Sequence, residues 1–267
     1  MQIGHIILAH KDPLQLQRLV KSILNKDSIV IIHLDLKSDM RVFSNISEIP
    51  NAYFTKNRLS VNWGGYSQVE AVIRSLDELM KLNPNLEYIN LLSGQDYPVQ
   101  KLSKFHEFLK RNPGRAFMEF LPSDNPWVVN AGERFNKYHL SDHSFFGKFK
   151  VERLMNLLLP KRSFPKDFIL TGRSQWFTID SECARYILHV IRCNGKLIRN
   201  FKFSWGADEL FFQSLIYNSP LKDKLINDNL RYIDWSENQS SPKTLTIIDI
   251  EQICHSKSFF ARKFDFH

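Results

Sequence analysis

The chain has 267 residues, 43% of them hydrophobic and 24% charged, with 36 Lys and Arg against 28 Asp and Glu. That size and composition suit one large α/β domain or two small ones, and they exclude disordered, fibrous and repeat architectures. The formal charge of +8 admits three kinds of partner: nucleic acid, an anionic membrane surface, or a small anionic substrate such as a nucleotide diphosphate.

In chain order, Ile3–Ala9 is an apolar run that predicts a buried strand, and His10-Lys11-Asp12-Pro13 a turn into a helix. Asp12 suits the cap of that helix, and Pro13 its first position, where a backbone N–H goes unused. Leu14, Leu16, Leu19, Val20, Ile23 and Leu24 then give a helical apolar face. Residues 29–34 are a second run rich in β-branched side chains, ending at Asp35. Strand, helix and strand in that order predict a parallel βαβ unit. The alternation continues with a helix over Tyr66–Leu82, a strand over 88–92, a short helix over 103–111 and a strand over 116–120.

Residues 121–170 are rich in aromatics, Asn, Pro and Lys, and predict loops and short helices over a site. Helices are expected over Ser181–Cys193 and 207–217, an edge strand over 230–233, and a helix over 245–254 leading into a basic, aromatic tail. No linker composition divides the chain. A single domain over 1–267 is expected, with a nucleotide-binding half at 1–120 and an acceptor and catalytic half at 121–267. Cys183, Cys193 and Cys254 are odd in number and lack metal-site spacing, which predicts reduced thiols. No window approaches the roughly 18 apolar residues of a membrane span, and no signal-peptide pattern precedes the first strand. A cytoplasmic protein is expected, in possible peripheral contact with the inner face of the membrane.

Ligands of open parallel sheets collect at the carboxyl ends of the strands. Ala9-His10-Lys11, His33-Leu34-Asp35 and Ser93-Gly94-Gln95-Asp96 fall at such ends. Asp35 suits either a ribose or base contact or a turn cap. Neither the Gly-rich dinucleotide motif nor a Walker A motif is present. Asp208-Glu209 follows the turn-like Ser204-Trp205-Gly206, so a helix start would favour the ionised form that a general base must use. The same pair also suits an ordinary first helical turn. The tail Phe259-Phe260-Ala261-Arg262-Lys263-Phe264-Asp265 alternates aromatics with cations that could face a phosphate. Trp63-Gly64-Gly65-Tyr66 and Gly172-Arg173-Ser174-Gln175-Trp176 have the composition of sugar pockets, or of core aromatics at loops.

Taken together these segments, with Leu91-Leu92 before Ser93, Tyr97-Pro98, Leu210-Phe211-Phe212 and residues 231–235, resemble the core-2/I-branching β-1,6-N-acetylglucosaminyltransferase family, which also contains peptide O-xylosyltransferases. The resemblance follows the family's order nearly end to end. It implies an α/β, GT-A-like nucleotide-sugar fold, with a mostly parallel central sheet flanked by helices. It also implies inverting transfer from a UDP-sugar to a glycan hydroxyl, with no cofactor and no metal. Glu209 is implied as the general base. Successive helical residues point about 100° apart, so one acid of the pair is expected to face the acceptor, and the family pattern selects the second.

Lys263, with Arg262 or Lys243, is implied as the cation for the diphosphate, Asp35 as the uridine contact, and His10 and Asp96 as further donor contacts. Glu119, Arg134, Trp176 and Trp235 are implied on the acceptor side. Gly94-Gln95-Asp96 carries one carboxylate where most GT-A enzymes have Asp-x-Asp, in keeping with a metal-free site. The donor is expected to be UDP-GlcNAc, with UDP-xylose the alternative suggested by residues 172–176. The acceptor is expected to be a surface-polysaccharide or lipid-linked glycan precursor. No RNA-binding or helix-turn-helix signature supports a nucleic-acid partner.

Overall fold

The computed structural model describes residues 1–265. Strand β1 (Ile3–Ala9) leads through helix α1 (Pro13–Ile23) to β2 (Ser28–Leu34) and the short β3 (Ala52–Phe54). Helix α2 (Tyr66–Leu82) is followed by β4 (Tyr88–Ser93), the two-residue β5 (Tyr97–Pro98), α3 (Leu102–Arg111) and β6 (Ala116–Leu121). Two surface helices, α4 (Pro126–Phe135) and α5 (Lys148–Leu158), precede β7 (Gly172–Asp180). Helices α6 (Ser181–Cys193), α7 (Gly195–Lys202) and α8 (Phe211–Tyr217) then lead to β8 (Leu225–Asn227) and β9 (Arg231–Ile233). The described chain closes with α9 (Ile250–His255) and β10 (Phe260–Arg262).

Seven strands form one sheet in the order β3-β2-β1-β4-β7-β6-β8. All neighbouring pairs are parallel except those made by β7, which runs antiparallel to both β4 and β6. This is the α/β architecture the sequence predicts, mostly parallel and covered by helices, in keeping with a GT-A-like nucleotide-sugar fold. Parallel strands need cover on both faces, so both side-chain sets of each strand are apolar. Ile6, Ile31 and Leu91 pack with Val69, Val72, Leu76 and Leu79 of α2 on one face. Ile7, Ile32 and Leu92 pack with Leu16, Leu19, Val20 and Ile23 of α1 on the other. Each such aliphatic side chain removed from water stabilises the fold by about 1.5–3 kcal/mol. The Asp12 carboxylate accepts from Gln15 N at 3.0 Å, which satisfies one free donor of α1 as expected.

A second sheet has the order β5-β10-β9. It fastens the tail beside the carboxyl ends of β1 and β4. Phe264 N donates to Gln95 O at 2.9 Å, and Lys11 Nζ donates to Asp265 at 2.7 Å. The edge strand expected at 230–233 is β9 of this second sheet rather than part of the main one.

Three sequence expectations need correction. Residues 207–217 are not one helix: a 3-10 turn over Ala207–Glu209 ends at Leu210, and α8 starts anew. Leu210, Phe211 and Phe212 are all fully buried, and the Gly172 backbone packs directly against Glu209 and Leu210 where the helix breaks. Residues 245–254 are likewise a 3-10 turn over Ile247–Asp249 followed by the short α9, with Ile247, Ile248 and Ile250 exposed. Residues 172–176 open the longest strand, β7. Arg173, Ser174 and Gln175 interrupt its apolar pattern because they line a cleft.

Candidate functional site

A cleft of about 710 Å³ opens at the carboxyl edge of the parallel strands. The residues where β1, β2 and β4 end supply one wall, including His10, Asp35, Ser93 and Gln95. Strand β7 supplies Arg173, Gln175 and Trp176, the turn before α8 supplies Asp208 and Glu209, and the tail supplies Arg262 and Lys263. Glu119 and Trp235 complete the set of expected site residues that line it. Three expected residues do not line it: Asp96, Lys243 and Arg134.

The acidic corner depends on close backbone packing. A Cβ on Gly172 would stand 2.2 Å from Glu209 O and 2.8 Å from Leu210 Cα, so only glycine lets β7 and the acidic turn meet. Gly206 takes φ 70° just before the turn, a left-handed geometry in which L side chains are strained. Glu209 Oε2 lies 3.4 Å from Arg134 Nη1, and the Arg134 guanidinium stacks 4.7 Å from the Trp205 ring. Arg134 therefore holds Glu209 from behind rather than lining the cleft.

Burial raises the pKa of Glu209, while Arg134 and Arg173 pull it back down. Burial, and then the neighbouring Glu209 charge, push Asp208 up to about 7. Both acids line the cleft, so the expectation that helical geometry turns one of them away fails. A 3-10 turn does not keep the α-helical spacing on which that expectation stood. What separates the two is contact, since Arg134 hydrogen-bonds Glu209.

The cationic corner is built on burial. The Arg262 guanidinium lies 4.2 Å from the Trp176 ring centroid, and its Nε is 3.5 Å from Asp96 Oδ1. Asp96 is fully buried beneath the cleft and accepts from Ser93 N at 3.0 Å. Burial raises its pKa against the pull of Arg262. Asp96 thus anchors Arg262 instead of reaching into the cleft. Among the described residues Lys263 has no ion-pair partner, so its ammonium is the available charge at this corner. Lys243 is committed elsewhere, with Nζ 2.5 Å from Asp249 and 3.9 Å from Asp234. Only its neighbours Ser240, Ser241 and Pro242 reach the cleft.

On the opposite wall, Asp35 accepts from Lys37 N at 2.8 Å and Val61 N at 3.2 Å. Those bonds fix its carboxylate and leave lone pairs for a ligand hydroxyl or N–H. His33 accepts from Leu59 N at 3.0 Å, and burial lowers its pKa to about 4, so it is neutral. Burial lowers His10 too, so a neutral imidazole faces the cleft. Glu119 accepts from Asn229 Nδ2 at 2.8 Å, and burial raises its pKa. No group of three or more His, Cys, Asp or Glu among the described residues is arranged to hold a metal ion.

Sequence reasoning gave no individual role to Arg173, Gln175, His33 or Lys37, although all line the cleft. Arg173 and Gln175 were visible as polar interruptions next to Trp176. His33 and Lys37 stand two residues before and two after Asp35, and both face the cavity beside it.

The model of the Core-2/I-Branching enzyme family matches residues 3–257. A xylosyltransferase of Ciona intestinalis is 22% identical over 294 residues, covering 99% of this chain and 32% of its own length. Xylosyltransferase 2 of Rattus norvegicus is 23% identical over 289 residues, with coverage of 99% and 32%. Xylosyltransferase sqv-6 of Caenorhabditis elegans is 24% identical over 277 residues, with coverage of 94% and 33%. The chain spans about a third of the length of these curated relatives. A crystal structure of S. aureus TarS 1-349 aligns at a TM-score of 0.43 and 11% identity, covering 82% of this chain and 56% of that one. No helix among the described residues is long and apolar enough to cross a membrane. With a family match that runs almost from end to end, the chain belongs to the Core-2/I-Branching enzyme family of glycosyltransferases.

Proposed function

We propose that the cleft is the active site of an inverting, metal-independent transferase that moves a sugar from a UDP donor to a glycan hydroxyl. One observation carries this reading. A carboxylate with a burial-raised pKa, Glu209, shares one cleft with the cations Arg173, Arg262 and Lys263. A raised pKa brings a general base closer to the pH at which it works. Glu209 takes the proton of the acceptor hydroxyl while its oxygen bonds to the anomeric carbon, and the bond from that carbon to the β-phosphate oxygen of UDP breaks. Arg262 and Lys263 face the negative charge that grows on the departing diphosphate, as preorganised positive charge. Asp35 and His10 stand on the nucleotide wall, within the half formed by residues 1–120. Glu119, Trp176 and Trp235 stand towards the acceptor, in the wall drawn mainly from residues 121–267.

The donor in this reading is UDP-GlcNAc, β-linked to a surface-polysaccharide or lipid-linked glycan precursor. UDP-xylose is the second reading, favoured by relatives that carry the name xylosyltransferase. The test is UDP release by the purified protein from each donor, with a glycan acceptor and excess EDTA present. Release that persists under chelation supports the reading, and the faster donor decides between the two sugars. Loss of all release under EDTA, with rescue by manganese, refutes the metal-independent mechanism.

A further inference from the structure

Helix α5 is turned inside out. None of its side chains is buried. Its contacts with the body are polar: Glu152 accepts from Leu140 N at 2.9 Å, and Asn156 accepts from Tyr138 N and donates to Tyr138 O, both at 2.8 Å. The apolar side chains point the other way. Phe149, Leu157 and Leu158 are 77%, 78% and 70% exposed, Leu154 is more than half exposed, and Phe146 just before the helix is fully exposed. A surface helix normally buries its apolar stripe and shows its charges to water. A contiguous apolar face left in solvent marks a contact with something apolar.

The charges around this face indicate what that contact is. Residues 145–161 hold four cations (Lys148, Lys150, Arg153 and Lys161) and one acid. The acid, Glu152, is half-buried on the body side, bound to the Leu140 N–H and 3.6 Å from His139. The outward face therefore mixes Phe and Leu with positive charge and no negative charge from this stretch. Lys148 Nζ lies 5.0 Å from the Phe149 ring, the arrangement of a cation riding above an apolar group at an interface. A helix with aromatic and leucine side chains among lysines and arginines is the pattern of an element that lies in the plane of an anionic bilayer surface.

The geometry points to α5 and Phe146 as a docking surface for an anionic lipid bilayer. The segment between α4 and α5 is tied to the element beside the cleft: Asp142 Oδ2 accepts from Ser67 N at 2.9 Å, next to the cleft-lining Gln68. Docking through α5 thus presents the cleft to an acceptor held at the lipid surface. That last step rests on the transferase reading above; the lipid contact does not.

The experiment is flotation of the full chain with phosphatidylcholine vesicles, with or without about a quarter phosphatidylglycerol. Binding is expected to the anionic vesicles, to be weak on the neutral ones, and to fall as salt screens the charges. Phe146→Ser with Leu157→Ser should lower partitioning at least tenfold, and Lys150→Glu with Arg153→Glu should do the same. Because these side chains are exposed, the variants should keep the wild-type Tm and UDP affinity. UDP binding is read separately, so a failure of lipid docking is distinguishable from a failure of the transferase reading. Equal binding to neutral vesicles, no vesicle binding, or binding untouched by the substitutions overturns the proposal. So does a lipid-free dimer in sedimentation that Leu157→Ser dissolves, since the face would then be covered by a second copy.

Discussion

Replacing Arg262 with alanine removes the cation that sits between a buried carboxylate and the cleft. In the native protein Arg262 Nε is 3.5 Å from Asp96 Oδ1, and Asp96 is fully buried. Without the guanidinium, burial acts on Asp96 with less opposition and drives it to take up a proton. The Trp176 ring also loses the group stacked 4.2 Å from its centre. Breaking one side of a buried pair destabilises by about 3–5 kcal/mol, which for a chain of this size lowers Tm by roughly 5–9 °C. Asp96→Asn in the same background removes the stranded charge and keeps an oxygen for the Ser93 N–H. The double variant should therefore recover most of the lost Tm.

UDP affinity should behave differently. Loss of a charge-assisted contact weakens binding by about 1.5–3 kcal/mol, roughly tenfold to a hundredfold in Kd, and the second substitution cannot restore it. Thermal unfolding and titration calorimetry on the wild type, both single variants and the double variant separate the two effects. If Asp96→Asn leaves the Arg262→Ala Tm where it was, the pair is not coupled. If Arg262→Ala binds UDP like the wild type, the guanidinium does not face the phosphate.

Glu209→Gln keeps the side-chain shape and removes the base, so turnover should fall by roughly two to four orders of magnitude while UDP binding persists. Asp208→Asn should reduce turnover less, and single-turnover rates of both variants check the order. Lys263→Ala should weaken UDP binding by about 1.5–3 kcal/mol, whereas Lys243→Ala should leave it nearly unchanged and lower Tm instead, because Lys243 is held by Asp249. The last expectation concerns pH. Burial holds the folded-state pKa of Asp208 at about 7 against an ordinary value of 3.8, so between these values the native protein keeps a proton the unfolded chain has released. Its contribution to stability is lost as pH rises through that window, at no more than about 1.4 kcal/mol per pH unit. The stability of Asp208→Asn relative to wild type should rise from about pH 4 to pH 7 and level off above, and denaturant titrations across that range measure it.

Local pattern was enough for the first half of the fold. Ile3–Ala9 and Tyr66–Leu82 were legible to the residue, because buried parallel strands and amphipathic helices each impose a period on the chain. The same rule failed at Gly172–Asp180, where one strand has to carry both the core residues Phe177 and Ile179 and the cleft residues Arg173 and Gln175. It failed again at Leu210, where tertiary packing against Gly172 overrides helical continuation.

Motif order led to the sequence expectation for Glu209, Arg262 and Lys263, and all three line the cleft. Their residue types indicated a base and cations without showing which neighbours would meet them. Only the tertiary structure decided that Asp96 lies under Arg262, that Arg134 stands behind Glu209, and that Lys243 is held by Asp249. These choices join residues up to about 170 positions apart in the chain. Short-range periodicity carries no information about such pairs: Arg262 meets Asp96 because the tail strand pairs between β5 and β9, and Arg134 meets Glu209 because α4 lies beside the turn before α8. The outward face of α5 is the clearest division between the two kinds of information. The alternation of Phe, Leu and Lys is in the sequence, but which side faces the body was decided by two hydrogen-bonding side chains, Glu152 and Asn156.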